Sequence, residues 1–232
     1  MLFDIVIPSH LRLTKLLRCV QSIEKAKKQY DVSLHIYFTQ ASELAEFKQK
    51  YNKEWVFYYI TNYKKASVFW NKHLYTMKAD IMVYLNDDVV VAENLIQKIS
   101  GEIQAQCPDY DGVLGIFQSN LPKDHTLPTA FGVIGKKFAE RFPNRQVFCP
   151  DYFRFFGDKE LEIFASSINK LYYSKDLRLE HHHPAYSNGK DVTHRLVRKY
   201  LPEDRYTFQT RQNKKLLWGQ DFTLINKENN EI

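Results

Sequence analysis

Two adjacent carboxylates, Asp87 and Asp88, follow Asn86 at the end of an apolar run, Ile81-Met82-Val83-Tyr84-Leu85. Neighbouring acids repel each other unless a cation or hydrogen-bond donors share them. Oxygen ligands of this kind suit a hard divalent ion, Mn2+ or Mg2+. Such an ion would bridge a diphosphate and neutralise charge on a departing nucleotide. The same triplet also reads as a solvated turn or a helix cap. A second group lies far downstream, His181-His182-His183-Pro184. In an extended segment His181 and His183 share one face and His182 takes the other. Either of the like-facing pair can complete a metal shell begun by Asp88, and either can equally be structural. The third group is Gly157-Asp158-Lys159-Glu160-Leu161, in which Asp158 follows a glycine turn and opens a helix. Helix N–H groups keep a carboxylate there ionised, which suits a general base that takes a proton from a hydroxyl. A plain helix cap fits the same position.

The elements that must carry these groups follow from periodicity. Residues 3–7 form an apolar run ended by Pro8-Ser9, the pattern of a buried parallel strand. Leu13, Leu16, Leu17, Val20 and Ile23 recur at helical spacing, predicting a helix over 13–28 with Ser9 or Thr14 near its start. Strands are expected over 32–39, 55–60 and 81–85. Helices are expected over 42–51, opened by a Ser42 cap, over 67–77 and over 92–106. Alternation of this kind implies a mostly parallel α/β sheet. Ligands of such sheets sit beyond the carboxyl ends of the strands. Pro8-Ser9-His10, Thr39-Gln40 and Asn86-Asp87-Asp88 all fall there and should face one crevice. Beyond residue 107 the strands look short, aromatics concentrate in 148–156, and a helix is expected over 158–171. Residues 1–106 then form one α/β half, 107–185 a smaller half of the same domain, and 186–232 a basic C-terminal extension. The polar end, 226–232, is expected to be loose.

Composition bounds the class. The chain has 232 residues, 44% hydrophobic and 26% charged, which suits one soluble domain with a modest appendage. Its 15% aromatic content implies aromatic core packing, or a stacking surface for bases and sugars. A net charge of +6 suits an anionic partner. Cys19, Cys107 and Cys149 are isolated, so neither a disulfide framework nor a thiolate zinc site is indicated. No leader pattern stands at the start, and no apolar stretch approaches the roughly 20 residues that span a bilayer. A cytoplasmic location is the expectation.

The order of these segments resembles that of GT-A glycosyltransferases, especially family-2-like enzymes. Those segments are Pro8-Ser9 after the first strand, Asn71-Lys72 before the fourth, Asn86-Asp87-Asp88 at its end, then Gly-Asp-Lys-Glu-Leu and His-x-His-Pro. The resemblance covers residues 3–185 and is thinner in the second half. It implies an α/β GT-A (Rossmann-like) sheet flanked by helices, acting on a nucleotide-sugar donor with Mn2+ or Mg2+. Pro8, Ser9, His10 and Arg12 would line the nucleotide pocket. Lys64, Lys65 and Lys72 are near enough in this order to assist the diphosphate, and fit equally as solvated lysines of a helix face. Asn86 and Asp87 would meet ribose or diphosphate, and Asp88 would bind metal. Asp158 would be the base, and His183, with His181 as second choice, would complete the metal shell. A base acting directly on the acceptor implies inversion at the sugar carbon. Two departures stand out. Thr39-Gln40-Ala41-Ser42 replaces the acidic pair expected after the second strand, and Asn-Asp-Asp replaces Asp-x-Asp.

The acceptor is less legible. Lys190, Arg195, Arg198, Lys199, Arg205, Arg211, Lys214 and Lys215 interleave with Tyr200, Tyr206, Phe208 and Trp218. That mixture suits phosphates and unstacked bases. The compact chain with its late His-x-His-Pro also resembles small phage glycosyltransferases, some of which modify hydroxymethylated bases in DNA. DNA, in a host cytoplasm, is therefore one expected acceptor, and a saccharide or lipid-linked hydroxyl is the other. Two rivals of a different class are a non-catalytic nucleotide- or nucleic-acid-binding module and a nucleotidyltransferase. The second is disfavoured because Pro8-Ser9-His10-Leu11-Arg12 lacks the glycines of a phosphate loop.

Overall fold

Phe3, Ile5 and Ile7 alternate with Asp4 and Val6 along β1 (Leu2–Ser9), and both sets are buried, so the strand must be covered on two faces. The computed structural model describes residues 1–62, 65–120, 128–183 and 191–220 and shows how this is done. Lys64, Pro184, Lys190 and the stretch 226–232 lie outside the described residues. β1 sits between β2 (Asp31–Phe38) and β4 (Ile81–Tyr84), parallel to both, and β3 (Val56–Ile60) extends the parallel set beyond β2. β4 then pairs antiparallel with β7 (Gly132–Gly135), and β7 with β6 (Val113–Gln118). β8 (Leu171–His181) runs parallel to β6, and β5 (Val89–Val91) closes the edge antiparallel to β8. One eight-stranded sheet results, ordered β3-β2-β1-β4-β7-β6-β8-β5, with residues from both halves of the chain.

Helices cover both faces. On one, α1 (Leu13–Lys27), α2 (Ala41–Lys50) and α4 (Leu95–Gln106) bury Leu16, Cys19, Val20, Phe47 and Ile99 against Ile5, Ile7, Ile36 and Val83. On the other, α3 (Ala66–Thr76), α5 (Lys136–Ala139) and α6 (Gly157–Ser167) set Trp70, Leu74, Phe138 and Phe164 on Val6, Met82 and Tyr84. Each large apolar side chain so buried contributes roughly 1.5–3 kcal/mol. This is the helix-flanked, mixed α/β sheet of the GT-A (Rossmann-like) class expected from the sequence. No helix among the described residues is long and apolar enough to cross a membrane.

Several local expectations change. α2 begins at Ala41, so Ser42 lies inside it and Gln40 holds the cap position without a side-chain bond. α1 likewise has no side-chain cap of its own. The Glu43 carboxylate reaches over from α2 and accepts the Leu11 and Arg12 N–H groups at 2.8 and 2.9 Å. The helix expected over 92–106 starts only at Leu95, because Val89–Val91 pairs as β5. α6 stops at Ser167, and Leu171, expected on its apolar face, opens β8 instead. β8 has 11 residues and overturns the expectation of only short strands in this half.

The described part of the C-terminal extension packs onto the domain as α7 (Val192–Arg198) and α8 (Leu201–Asn213). Fully buried Asp204 on α8 accepts the N–H groups of Phe153, Arg154 and Phe155, each at 2.8 Å. Phe153 and Phe156 from the same loop stack on Tyr200 and Phe208, with ring centroids 4.6 and 5.0 Å apart. Replacing Asp204 with alanine strips three buried donors of their acceptor. Unfolding in urea is expected to show a loss of about 2–4 kcal/mol. A loss below about 0.5 kcal/mol would mean that the loop holds its own shape.

Candidate active site

β5 and β8 pair in a register that sets Val89 opposite His181, so Asp88, one residue before β5, lies beside the end of β8. The His182 N–H donates to the Asp88 carbonyl at 2.9 Å and locks the turn. Two buried atoms then face each other: Asp88 Oδ1 and His181 Nε2 are 3.3 Å apart. Neither has a hydrogen-bond partner among the described residues. On its far side His181 places Nδ1 2.6 Å from Gln118 Oε1. An Nδ1–H donated to that oxygen leaves Nε2 with a bare lone pair turned toward a carboxylate. Two acceptors at that separation repel unless a proton on Nε2 or a metal cation lies between them. The donor set of one imidazole nitrogen and one carboxylate oxygen therefore fits a divalent ion. His183 stands next to His181, with ring centroids 5.0 Å apart, and His194 of α7 follows at 4.9 Å from His183.

Arg12 supplies the fixed positive charge. Its Nη1 lies 3.0 Å from both Asp87 Oδ1 and Asp88 Oδ2, and its Nη2 lies 3.0 Å from Asp191 Oδ1. Lys15 holds the other Asp191 oxygen at 2.7 Å. Burial disfavours charge on Asp88, but the adjacent His181 and Arg12 overcome it and hold the carboxyl well below its usual range. Asp87 moves the opposite way, raised by burial and by the charge of Asp88 beside it. Burial and the neighbouring His181 push His183 down to about 4, so it is neutral near pH 7 and able to ligate.

Two adjoining cavities open on this floor. The first, about 190 Å³, is lined by Asn86, Asp88, Asp158, His181 and His183. The second, about 430 Å³, is lined by Pro8, Ser9, His10, Thr39, Gln40 and Asp87, which lie at the carboxyl ends of β1, β2 and β4. Arg12, Arg154, Thr193 and Val197 belong to both walls. The larger cavity has the size of a small-ligand pocket, typically about 300–1,000 Å³. Ser9 Oγ sits between Glu43 Oε1 and Asp87 Oδ2 at 3.0 and 3.2 Å, and His10 contacts the Thr39 hydroxyl. Lys72 stands apart: it is exposed on α3 and lines neither cavity, while its neighbours Asn71 and His73 turn inward. Lys65 donates to the Pro150 carbonyl at 2.8 Å.

Sequence reasoning missed several residues of this site. Gln118, which orients His181, sits at the end of a strand with no motif around it. Arg154 was visible only as one of many basic residues, and Asp191, Thr193 and His194 only as part of an extension. Glu43 had one signal, an acid in the first turn of a helix following a strand. Asp158 occupies the second position of α6, and its Oδ1 accepts the Lys159 N–H at 2.9 Å. Burial raises its carboxyl from 3.8 to about 6. Between those two values the unfolded chain ionises first, so the fold loses stability as pH rises, and the penalty is complete above pH 6. Asp158→Asn should therefore be more stable than the parent at pH 7 by about 1–2 kcal/mol, with the difference vanishing near pH 4. Urea melts at both pH values check this, and a less stable variant at pH 7 contradicts it.

No family model matches the chain, and no curated protein matches it. Solved structures of similar fold do exist. TarS residues 1–349 from S. aureus shares 12% identity at a TM-score of 0.61, over 77% of this chain and 59% of that one. The same protein in complex with UDP-GlcNAc gives 11% and 0.58, over 81% and 61%. The mannosyltransferase PcManGT from Pyrobaculum calidifontis, in complex with GDP-Man and Mn2+, gives 10% and 0.63, over 90% and 64%. This chain thus spans less than two thirds of each, and at such identities the likeness is one of fold.

Proposed function

We propose that this chain is a metal-dependent, inverting glycosyltransferase that moves a hexosyl or pentosyl group from a nucleotide-sugar donor to a hydroxyl acceptor. The observation that carries the reading is the facing pair of orphaned ligand atoms, Asp88 Oδ1 and His181 Nε2, in the cavity that Asp158 also lines. Neighbours of the same fold bind UDP-GlcNAc, or GDP-Man with Mn2+, which supports the donor class. Asp88 and His181, with His183 alongside, would hold Mn2+ or Mg2+. A bound ion supplies Lewis-acid neutralisation of the diphosphate.

The chain's own residues do the rest. Pro8, Ser9, His10, Thr39 and Gln40 shape the nucleoside pocket together with Asp87, while Asn86 lines the cavity of the metal pair. Arg12 and Arg154, common to both cavities, are placed to receive the negative charge that grows on the leaving diphosphate. This role replaces the one expected for Lys72. Asp158 accepts the proton of the acceptor hydroxyl as that oxygen attacks, and the acceptor enters opposite the leaving group. A carboxyl near 6 is ionised at neutral pH yet basic enough to take that proton.

Part of the mixture that suggested a DNA acceptor is engaged internally. Arg211 pairs with Glu160 at 3.0 Å, Trp218 donates to the Gln146 carbonyl at 2.7 Å, and Tyr200 and Phe208 stack on the loop carrying Arg154. A saccharide or lipid-linked hydroxyl is therefore the first acceptor to assay. Hydroxymethylated DNA is the second, with a steep salt dependence as its mark.

Thermal stabilisation screened over nucleotide sugars, with and without Mn2+, is expected to find a donor that stabilises only with metal. His181→Gln should abolish that requirement together with the stabilisation. Asp158→Asn should keep donor binding but reduce turnover by about 10²–10⁴-fold. Turnover unchanged in Asp158→Asn removes it as the base. Donor binding with no transfer or hydrolysis under any condition favours a non-catalytic nucleotide-binding module.

A further inference from the structure

Asp4 is an acid in the middle of an otherwise apolar buried strand. It sits five residues before Ser9, about 16 Å along β1 from the cavity. Its side chain faces α3, where His73 Nε2 lies 2.9 Å from Oδ2, and His35 of β2 brings Nε2 to 3.3 Å from Oδ1. All three groups are buried, at 9%, 4% and 9% exposure for Asp4, His73 and His35. One ligand atom from each lies within 4.8 Å of the others. His35 Nε2 has no hydrogen-bond partner among the described residues although it is buried and aimed at the carboxylate. Both imidazoles are oriented from behind: His35 Nδ1 lies 3.0 Å from the Tyr59 hydroxyl and His73 Nδ1 lies 3.3 Å from the Tyr37 hydroxyl. Histidine metal ligands are built in this way, one nitrogen toward the ion and the other anchored by an outer group.

We propose that Asp4, His35 and His73 form a second divalent-metal site, of the zinc class, which braces α3 against β1 and β2. Two nitrogens and one oxygen favour a borderline ion such as Zn2+ over Mg2+ or Mn2+. On loading, the His73 proton shared with Asp4 moves from Nε2 to Nδ1, and the Tyr37 hydroxyl turns from donor to acceptor. No net proton is lost from that ring. The brace reaches the cavity through α3, because Asn71 grips the Phe148 backbone at 2.7 and 2.9 Å and Trp70 lines the wall.

The proposal is independent of the glycosyltransferase reading, and the test separates them. The Asp88→Asn/His181→Gln/His183→Gln variant removes the candidate catalytic ligands and leaves this cluster intact. Titrated with Co2+ after chelator treatment, it is expected to bind one equivalent with visible d–d bands, which Zn2+ displaces. Adding His35→Gln should weaken that binding by about tenfold or more while far-ultraviolet circular dichroism stays unchanged. Asp4→Asn is read in the same way if the histidine variant disturbs folding. A triple variant that binds no Co2+, or binding that survives both substitutions, overturns the site.

Discussion

Asp87 and Asp88 lie side by side beneath the cavities at 3% and 2% exposure, and the rest of the site is a response to that charge. Two dry carboxylates cannot both be ionised without positive partners close by. The residues around the pair come from distant parts of the chain: the cation Arg12 from the loop after β1, His181 with Nε2 turned to Asp88 from the end of β8, and Lys15 indirectly through Asp191. Each is fixed by its own support. Glu43 holds the Arg12 backbone, Gln118 holds the His181 ring, and the β5–β8 ladder fixes the register. Breaking any of these would leave buried charge unmatched, which costs far more than a surface ion pair contributes.

The α/β sheet was legible because its parallel strands are buried on both faces and so read as unbroken apolar runs, while helical spacing marked α1 and α6. Asn86-Asp87-Asp88 and His181 stood out as candidates for chemistry because neither pattern is needed for packing. What could not be read was pairing. Val89–Val91 looks like the entry to a helix until β8 is present to receive it, and β8 itself has a half-exposed pattern that local reading takes for irregular chain. That ladder sets His181 beside Asp88 Oδ1, which local reading could not decide, since His181 and His183 point the same way in isolation. Lys72 shows the converse limit: its position in the order of segments was suggestive, but the phase of α3 turns it to solvent.

The basic, aromatic C-terminal segment shows that composition does not say which side chains already have partners inside the fold. Arg211, Tyr200, Phe208 and Trp218 have the chemistry of a nucleic-acid surface, yet each has an internal partner. Arg195 and Arg198 on α7, Lys199 just after it and Arg205 on α8 are exposed. Asp191 and Thr193 fasten α7 over the first loop, through Arg12 and through the His10 carbonyl at 2.6 Å. The extension is thus a wall of the site.

The Asp204 carboxylate has an evolutionary consequence. By holding the backbone on either side of Arg154, it makes a residue outside the sheet responsible for the position of a cation that lines both cavities. A lineage that exchanged this C-terminal piece for another would also dislodge the arginine. The C-terminal piece and the lining of both cavities are therefore inherited together.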